Sequence, residues 1–257
     1  MNKLMQDLFS LKGKKAIVTG GGRGIGEAIT RGLCMAGAEV VIIGSSDKTQ
    51  MLAEKLSGGE YTVRGITGDL SRTDEIEDIF AKAVDLLDGD IDILVNNAAI
   101  QGRYPAEDFP MKEWQKIIDL NLTATAMLCQ LSGRIMLRKG YGKIINMASM
   151  TSFFGSYHIM AYAASKGGIA QLTKALSNEW SGRGINVNAI APGGFRTQMT
   201  TALRENKETE RSAMERTPAG RWGEPEDVTG TVIYLASKAS DYVCGVILPV
   251  DGGYLVR

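Results

Sequence analysis

Tyr162 and Lys166 stand four residues apart in Tyr162-Ala163-Ala164-Ser165-Lys166, at the start of a stretch with helical patterning. On a helix that spacing places both side chains on one face, so a phenol and an ammonium can enter one site. The pair suits proton transfer at an oxygen. Reducing a carbonyl needs an acid for the forming alkoxide, and oxidising an alcohol needs a base for the hydroxyl proton. A free tyrosine titrates near about 10, and a neighbouring cation stabilises its phenolate and lowers that value. The alternative for the pair alone is an exposed helix contact worth a few tenths of a kcal/mol. Ser149 precedes this helix and directly follows the apolar run Lys143–Ala148. Its hydroxyl can donate to a substrate oxygen and steady developing charge, or it caps the local turn. Asn121 is an amide set among Leu120, Leu122 and Ala124, where a side chain satisfying buried backbone groups is one reading.

A second constellation handles anions. Thr19-Gly20-Gly21-Gly22-Arg23-Gly24-Ile25-Gly26 joins the strand candidate Lys15–Thr19 to the helix candidate Gly26–Met35. The unpaired N–H groups and dipole of that helix form a pyrophosphate site. Glycines let the ligand approach the turn and let helix pack on strand. A glycine-rich loop alone is also ordinary turn geometry; its place between strand and helix favours phosphate binding.

The elements that position these groups alternate. Strand candidates are Lys15–Thr19, Glu39–Ile43, Tyr61–Ile66, Ile91–Asn96, Lys143–Ala148, Asn186–Ile190 and Val246–Val250. Several are almost continuously apolar, as strands buried on both faces are. Helical stretches fall at Gly26–Met35, Thr49–Leu56, Asp74–Leu87, Met111–Arg138 and Tyr162–Trp180, with Pro110 placed for a first turn. The pattern predicts an α/β fold: a doubly wound parallel sheet of about seven strands with helices on both faces. In such folds ligands bind at the carboxyl ends of the strands, near the switch in strand order. No linker or repeat divides the 257 residues, so one domain over 1–257 is expected.

Composition narrows the classes further. Lys plus Arg and Asp plus Glu both number 29, giving no net charge and no footprint for nucleic acid or a membrane surface. No apolar run is long enough to cross a bilayer. Met1 to Lys15 lacks the continuous apolar core of a secretory signal, so a cytoplasmic protein is expected. Cys34, Cys129 and Cys244 are widely spaced within apolar stretches and read as buried, reduced thiols. His158 is the only histidine, so no metal site is expected.

The spacing Gly20-x-x-x-Gly24-x-Gly26 within T-G-x-x-x-G-x-G resembles the fingerprint of the classical short-chain dehydrogenase/reductase family. The resemblance runs from Gly13 to Gly253 and implies a Rossmann fold with an NAD(P)(H) cofactor. It implies a nucleotide-binding half of about 13–150, with catalytic helix, lid and last strand in about 151–257. Asn121, Ser149, Tyr162 and Lys166 match the family's catalytic tetrad in type and order. There the asparagine holds a water behind the lysine, and the lysine binds the nicotinamide ribose. The charge of an oxidised nicotinamide would further lower the phenol. The resemblance assigns the cofactor to Gly20, Gly22, Arg23, Gly24, Ile25 and Gly26, with Tyr162 and Lys166. Asn97 and Ala98, in a segment resembling N-N-A-G in which Ala99 replaces the last glycine, close over adenosine. Asp69 and Leu70 sit where the family contacts adenine, although Asp69 could equally cap the next helix. Pro192, Gly193, Phe195 and Thr197 hold the nicotinamide carboxamide.

The 2′ position of the adenosine ribose stays open between NAD and NADP: Gly44 stands where NAD enzymes place an acid, followed by Ser45, Ser46 and Asp47. Within the family the chain is most similar to sugar-acid dehydrogenases of the 2-deoxy-D-gluconate 3-dehydrogenase and gluconate 5-dehydrogenase type. The carrying stretches are Lys143–Met150, Asn178-Glu179-Trp180, Thr217–Gly223 and Asp251-Gly252-Gly253-Tyr254. Parts of these recur in 3-oxoacyl-carrier-protein reductases, the alternative. A sugar acid needs a cation for its carboxylate: Arg103, or Arg196 on the lid segment, with solvated surface as the other reading of each. His158 lies between Ser149 and Tyr162 and is a candidate pocket residue, with packing or plain surface as its other reading; Phe153 and Phe154 in the same loop either pack or shape one wall. The polar segment Thr200–Arg216 reads as a helical lid. Homotetramers are the family's habit, through long helices such as Met111–Arg138 and Tyr162–Trp180. A non-catalytic nucleotide-binding protein would not need the Ser, Tyr and Lys, and an epimerase of this type would need a longer chain.

Overall fold

The computed structural model describes residues 3–59 and 61–257; Met1 and Asn2, within the N-terminal stretch considered above, lie outside the described residues. Seven strands form one parallel sheet in the order β3-β2-β1-β4-β5-β6-β7. They are β1 (Lys15–Thr19), β2 (Glu39–Gly44), β3 (Val63–Thr67), β4 (Ile93–Asn96), β5 (Gly142–Met147), β6 (Ile185–Pro192) and β7 (Ile247–Val250). The expected strands are all present, with ends shifted by up to two residues. Pro249 is tolerated because β7 is an edge strand.

Period-two alternation explains the doubly covered sheet. Val18, Ile42, Val95 and Ile145 join one core cluster with Ile29 and Leu33 of α2 (Gly24–Met35). Their strand neighbours Ile17, Val41, Leu94 and Ile144 join the opposite cluster, with Leu128 and Met136. A strand with both faces buried must be apolar at every position, and these are. The order reverses at β1, which pairs with β2 on one side and β4 on the other. A crevice therefore opens beyond Thr19 and Asn96 at the carboxyl ends of those strands.

The long helix expected over Met111–Arg138 is interrupted. It divides into α5 (Met111–Ile118), a π turn at Asp119–Thr123 and α6 (Ala124–Lys139). Asn121 sits inside the wider turn, where an extra residue re-aims the side chain. The helix that carries Tyr162 and Lys166, α7, spans Met160–Trp180. Cys34 and Cys129 are buried, and burial raises both thiols to about 12. Cys244 is exposed, against expectation, because it lies in the short connection that precedes edge strand β7. Among the described residues no helix is long and apolar enough to cross a membrane, and no cluster of His, Cys, Asp and Glu is arranged to hold a metal.

Candidate active site

The first βα turn is shaped by contacts that only glycine permits. Gly20 and Gly24 have φ of +64° and +53°. A Cβ at Gly26 would fall 2.0 Å from the Gly20 carbonyl oxygen. Arg23, before the first turn of α2, adopts extended backbone and supplies no side-chain cap, so Gly24, Ile25 and Gly26 open the helix with no side chain claiming their N–H groups. A Cβ at Gly22 would stand 3.4 Å from Thr49, an ordinary contact. The turn is fastened to the end of β4. Asn97 Nδ2 donates to the carbonyls of Thr19 (3.0 Å) and Gly20 (3.1 Å), while Thr19 Oγ1 accepts from the Asn97 and Ala98 N–H groups at 2.9 and 3.0 Å. This cradle fits a dinucleotide pyrophosphate: a helix N-terminus left free by its own cap residue, approached over positions that carry no Cβ.

The flanks are equally specific. At Gly44 a Cβ would lie 2.4 Å from Thr49 Oγ1, so an acidic side chain does not fit at the end of β2. Ser45 is exposed beside it. Asp69 accepts from the Ser71 N–H and hydroxyl at 3.0 and 2.8 Å, forming a local turn and leaving the next helix uncapped by it. Leu70 is buried in the core.

Tyr162 and Lys166 lie one turn apart on α7, as their spacing requires. Lys166 is 3% exposed, and its Nζ donates to the Met147 carbonyl at 2.6 Å. The same Nζ lies 5.6 Å from the centroid of the Tyr162 ring. Burial pulls the ammonium down to about 8. Tyr162 is half-buried; the surrounding protein pushes its phenol above the ordinary value, and the Ser149 hydroxyl opposes that rise. The expected lowering of the phenol by Lys166 is thus not found in the protein alone, because desolvation dominates. Ser149 leaves β5 in extended backbone, and its Oγ accepts from the Thr151 N–H at 3.2 Å. Ser152 in the same turn donates to the Lys166 carbonyl at 2.7 Å. Ser149 is therefore both a turn cap and a neighbour of the phenol.

Asn121 is 1% exposed and its amide is fully engaged. Oδ1 accepts from the Ile100 N–H at 2.9 Å, while Nδ2 donates to the Ile100 carbonyl (2.9 Å) and to Ser165 Oγ (3.1 Å). It pins the segment after Asn97 and Ala98 to the catalytic helix.

Beyond β6, Pro192 and Gly193 turn the chain against the C-terminal segment; a Cβ at Gly193 would lie 2.6 Å from Asp251 Cα. Phe195 is buried and bridges to Gly223. The Thr197 methyl lies 3.6 Å from where a Cβ on Gly24 would stand, which brings this segment over the cradle. The Arg23 guanidinium donates to the Gln198 side chain across the same gap. The stretch expected as a lid is helical, as α8 (Thr201–Glu205) and α9 (Lys207–Arg216). Arg196 is drawn to Glu224 at 2.9 Å. Arg103 makes no hydrogen bond or ion pair with the described residues, and partial burial lowers its pKa. His158 is exposed with φ +62°, and its carbonyl accepts from the Tyr104 N–H at 3.0 Å. That bond joins the Arg103 loop to the loop between Ser149 and Tyr162.

A family model described as enoyl-(acyl carrier protein) reductase matches residues 20–255, across the cradle, the Tyr–Lys helix and the lid. The chain belongs to the short-chain dehydrogenase/reductase family. This dehydrogenase is 48% identical to the 2-dehydro-3-deoxy-D-gluconate 5-dehydrogenase of Bacillus subtilis, over 98% of this chain and 99% of that protein. It is 41% identical to the 5-keto-D-gluconate 5-reductase of Escherichia coli, over 98% and 99% of the two chains. The crystal structure of a gluconate 5-dehydrogenase from Burkholderia cenocepacia, in complex with NADP and tartrate, superposes with a TM-score of 0.94 at 37% identity, over 98% and 99% of the chains. The protein is an NAD(P)-dependent oxidoreductase acting between CH–OH and C=O groups.

Sequence reasoning missed several supporting residues of this dehydrogenase. Thr19 reads in the sequence as the end of a strand and the first residue of the glycine fingerprint, and neither reveals that its hydroxyl holds two backbone N–H groups of the β4 exit. Ser152 and Ser165 brace Lys166 and Asn121. A small hydroxyl beside a catalytic residue carries no signal of its own, since its partner is fixed only by the tertiary fold.

Proposed function

We propose that this dehydrogenase interconverts a secondary alcohol and ketone on a sugar acid of the gluconate or deoxygluconate type. The observation that carries the substrate class is Arg103, an exposed guanidinium with no hydrogen bond or ion pair among the described residues, on a loop bonded to the one between Ser149 and Tyr162. An unpaired guanidinium suits a carboxylate, which it binds in bidentate fashion. The names of the relatives support the same class. His158, exposed on the facing loop, completes the rim of that pocket.

The residues divide the work. Gly20, Gly22, Gly24, Ile25 and Gly26 would hold the pyrophosphate with backbone N–H groups, and Arg23 would add charge there. Ser45, exposed beside Gly44, would receive the 2′ side of the adenosine ribose. Asp69, Leu70, Asn97 and Ala98 would flank adenosine. Pro192, Gly193, Phe195 and Thr197 would fix the face of the nicotinamide, and Lys166 its ribose. The bound nicotinamide supplies or accepts the hydride and, when oxidised, a positive charge. In the reducing direction the Tyr162 hydroxyl gives its proton to the substrate oxygen, Ser149 Oγ donates a hydrogen bond to that oxygen, and Lys166 stabilises the phenolate left behind. A phenol held up by burial is a proton donor at neutral pH, as reduction requires. Asn121 holds the adjoining loop in place.

The chain works as one domain, and the half-exposed apolar residues Met127, Leu131 and Ile135 of α6 with Leu176 of α7 are the faces through which a cytoplasmic homotetramer would pair. Matched assays of 5-keto-D-gluconate, 2-dehydro-3-deoxy-D-gluconate and acetoacetyl thioester with NADH and NADPH test the substrate. Turnover of a keto-sugar acid is expected. Turnover of the thioester alone would move the protein to the oxoacyl-reductase alternative.

A further inference from the structure

The far end of the lid is held by contacts outside the catalytic group. α9 buries none of its residues, so hydrophobic packing does not fix it. Its last residue, Arg216, instead lays its guanidinium 4.4 Å from the Tyr254 ring centroid and 5.4 Å from that of Phe154. The two rings are themselves stacked, 5.8 Å apart at 24°. A planar, weakly hydrated guanidinium is drawn to aromatic faces, and these rings are its only partners among the described residues. Beside it the Arg257 guanidinium donates to the Glu215 carbonyl at 2.6 Å.

Three segments remote in sequence meet at this point. Phe154 lies two residues past the turn Met150–Ser152, which Ser149 caps and Ser152 ties to Lys166. Tyr254 opens the C-terminal turn, whose preceding Gly252 carbonyl accepts from the Ala219 N–H just beyond the lid, at 3.0 Å. A Cβ at Gly252 would stand 2.9 Å from the Thr217 methyl, and one at Gly253 3.0 Å from Pro218. The same turn backs Gly193 through Asp251. Through these contacts α9 is linked to the Ser149 turn by Phe154 and to the segment after β6 by the turn that carries Tyr254.

We propose that Arg216, Phe154 and Tyr254 form a latch that holds the lid closed against the turn carrying Ser149. They are positioning residues: they set the fraction of molecules with a closed pocket and take no part in proton transfer. Apparent affinity scales with that closed fraction. Two cation–ring contacts and one ring stack, each worth a few-fold, make the expected loss about five- to twentyfold when the latch is removed.

Full-length wild type, Tyr254→Ala, Tyr254→Phe and Arg216→Ala are digested with trypsin in saturating NADP+, since Arg204, Lys207 and Arg211 offer cleavage sites within the lid. Wild type and Tyr254→Phe, which keeps the ring, are expected to be cut slowly. The two alanine variants are expected to be cut in the lid about five to twenty times faster, with unchanged melting temperature. Steady-state assays on the proposed keto-sugar acid should show a matching rise in KM with unaltered kcat and pH profile. That second arm rests on the substrate reading; the digestion does not. Should Tyr254→Ala fail to fold, Arg216→Ala, at an exposed position, decides alone. Wild-type cleavage rates in the alanine variants, equal lability of Tyr254→Phe and Tyr254→Ala, or a shifted pH profile would each overturn the latch.

Discussion

Lys166 Nζ is bonded to the Met147 carbonyl at 2.6 Å and faces the Tyr162 ring from 5.6 Å. The ammonium is thus anchored to the end of β5, within reach of the cleft but not spent on the phenol. Its burial lowers it to about 8, against about 10.4 for an unfolded lysine. The native state therefore disfavours the charged form, and folding is penalised below pH 8 by about 3 kcal/mol. As pH rises from 8 to about 10.4 the unfolded chain still binds the proton that the native chain has lost, so stability recovers. Lys166→Met should remove the penalty. Chemical denaturation is expected to show the variant more stable at pH 7, with the gap closing towards pH 10.

Asn121 gives a different signature. Its amide satisfies both backbone groups of Ile100, and truncation leaves a buried donor and acceptor unpaired at a cost of about 1–3 kcal/mol each. Asn121→Ala should lose about 2–6 kcal/mol in urea denaturation and also lose activity. Stability within 0.5 kcal/mol of wild type, roughly the scatter of neutral substitutions, would show that the Ile100 contact is not what holds this turn.

Arg103 should behave as a binding residue. Arg103→Ala is expected to raise KM for a keto-sugar acid about ten- to a hundredfold, as loss of a charge-assisted bond does, with NADPH binding unchanged. Arg103→Lys should recover part of this. An unchanged KM would remove Arg103 from the pocket.

Gly26→Ala tests the cradle, since its Cβ would meet the Gly20 carbonyl at 2.0 Å. NADPH fluorescence titration should show binding weakened at least tenfold, because the turn must shift by more than a flexible side chain could absorb. Binding at wild-type strength would show that the dinucleotide does not rely on this turn.

The fold was largely legible because buried parallel strands write themselves as apolar runs, and Ile17-Val18 or Leu94-Val95 admit little else. The cradle was legible because glycine spacing records the approach of backbone to backbone. What sequence could not give was contact between remote segments. The π turn around Asn121 shows in the chain only as one amide among leucines. Arg216, Phe154 and Tyr254 lie far enough apart that no spacing rule joins them. Cys244 looked buried from its apolar neighbours, yet the short connection before an edge strand leaves it exposed. The state of Tyr162 also escaped, since spacing announces a nearby lysine but not the desolvation that outweighs it.

The proposed proton transfer depends on the Tyr162 phenol as the donor. Tyr162→Phe removes one oxygen and leaves the ring, the helix and Lys166 in place. Single-turnover kinetics with NADPH and a keto-sugar acid should show the chemical step slowed by about 10²–10⁴-fold, with the nucleotide bound as tightly as by wild type. A chemical step within a few-fold of wild type would contradict it.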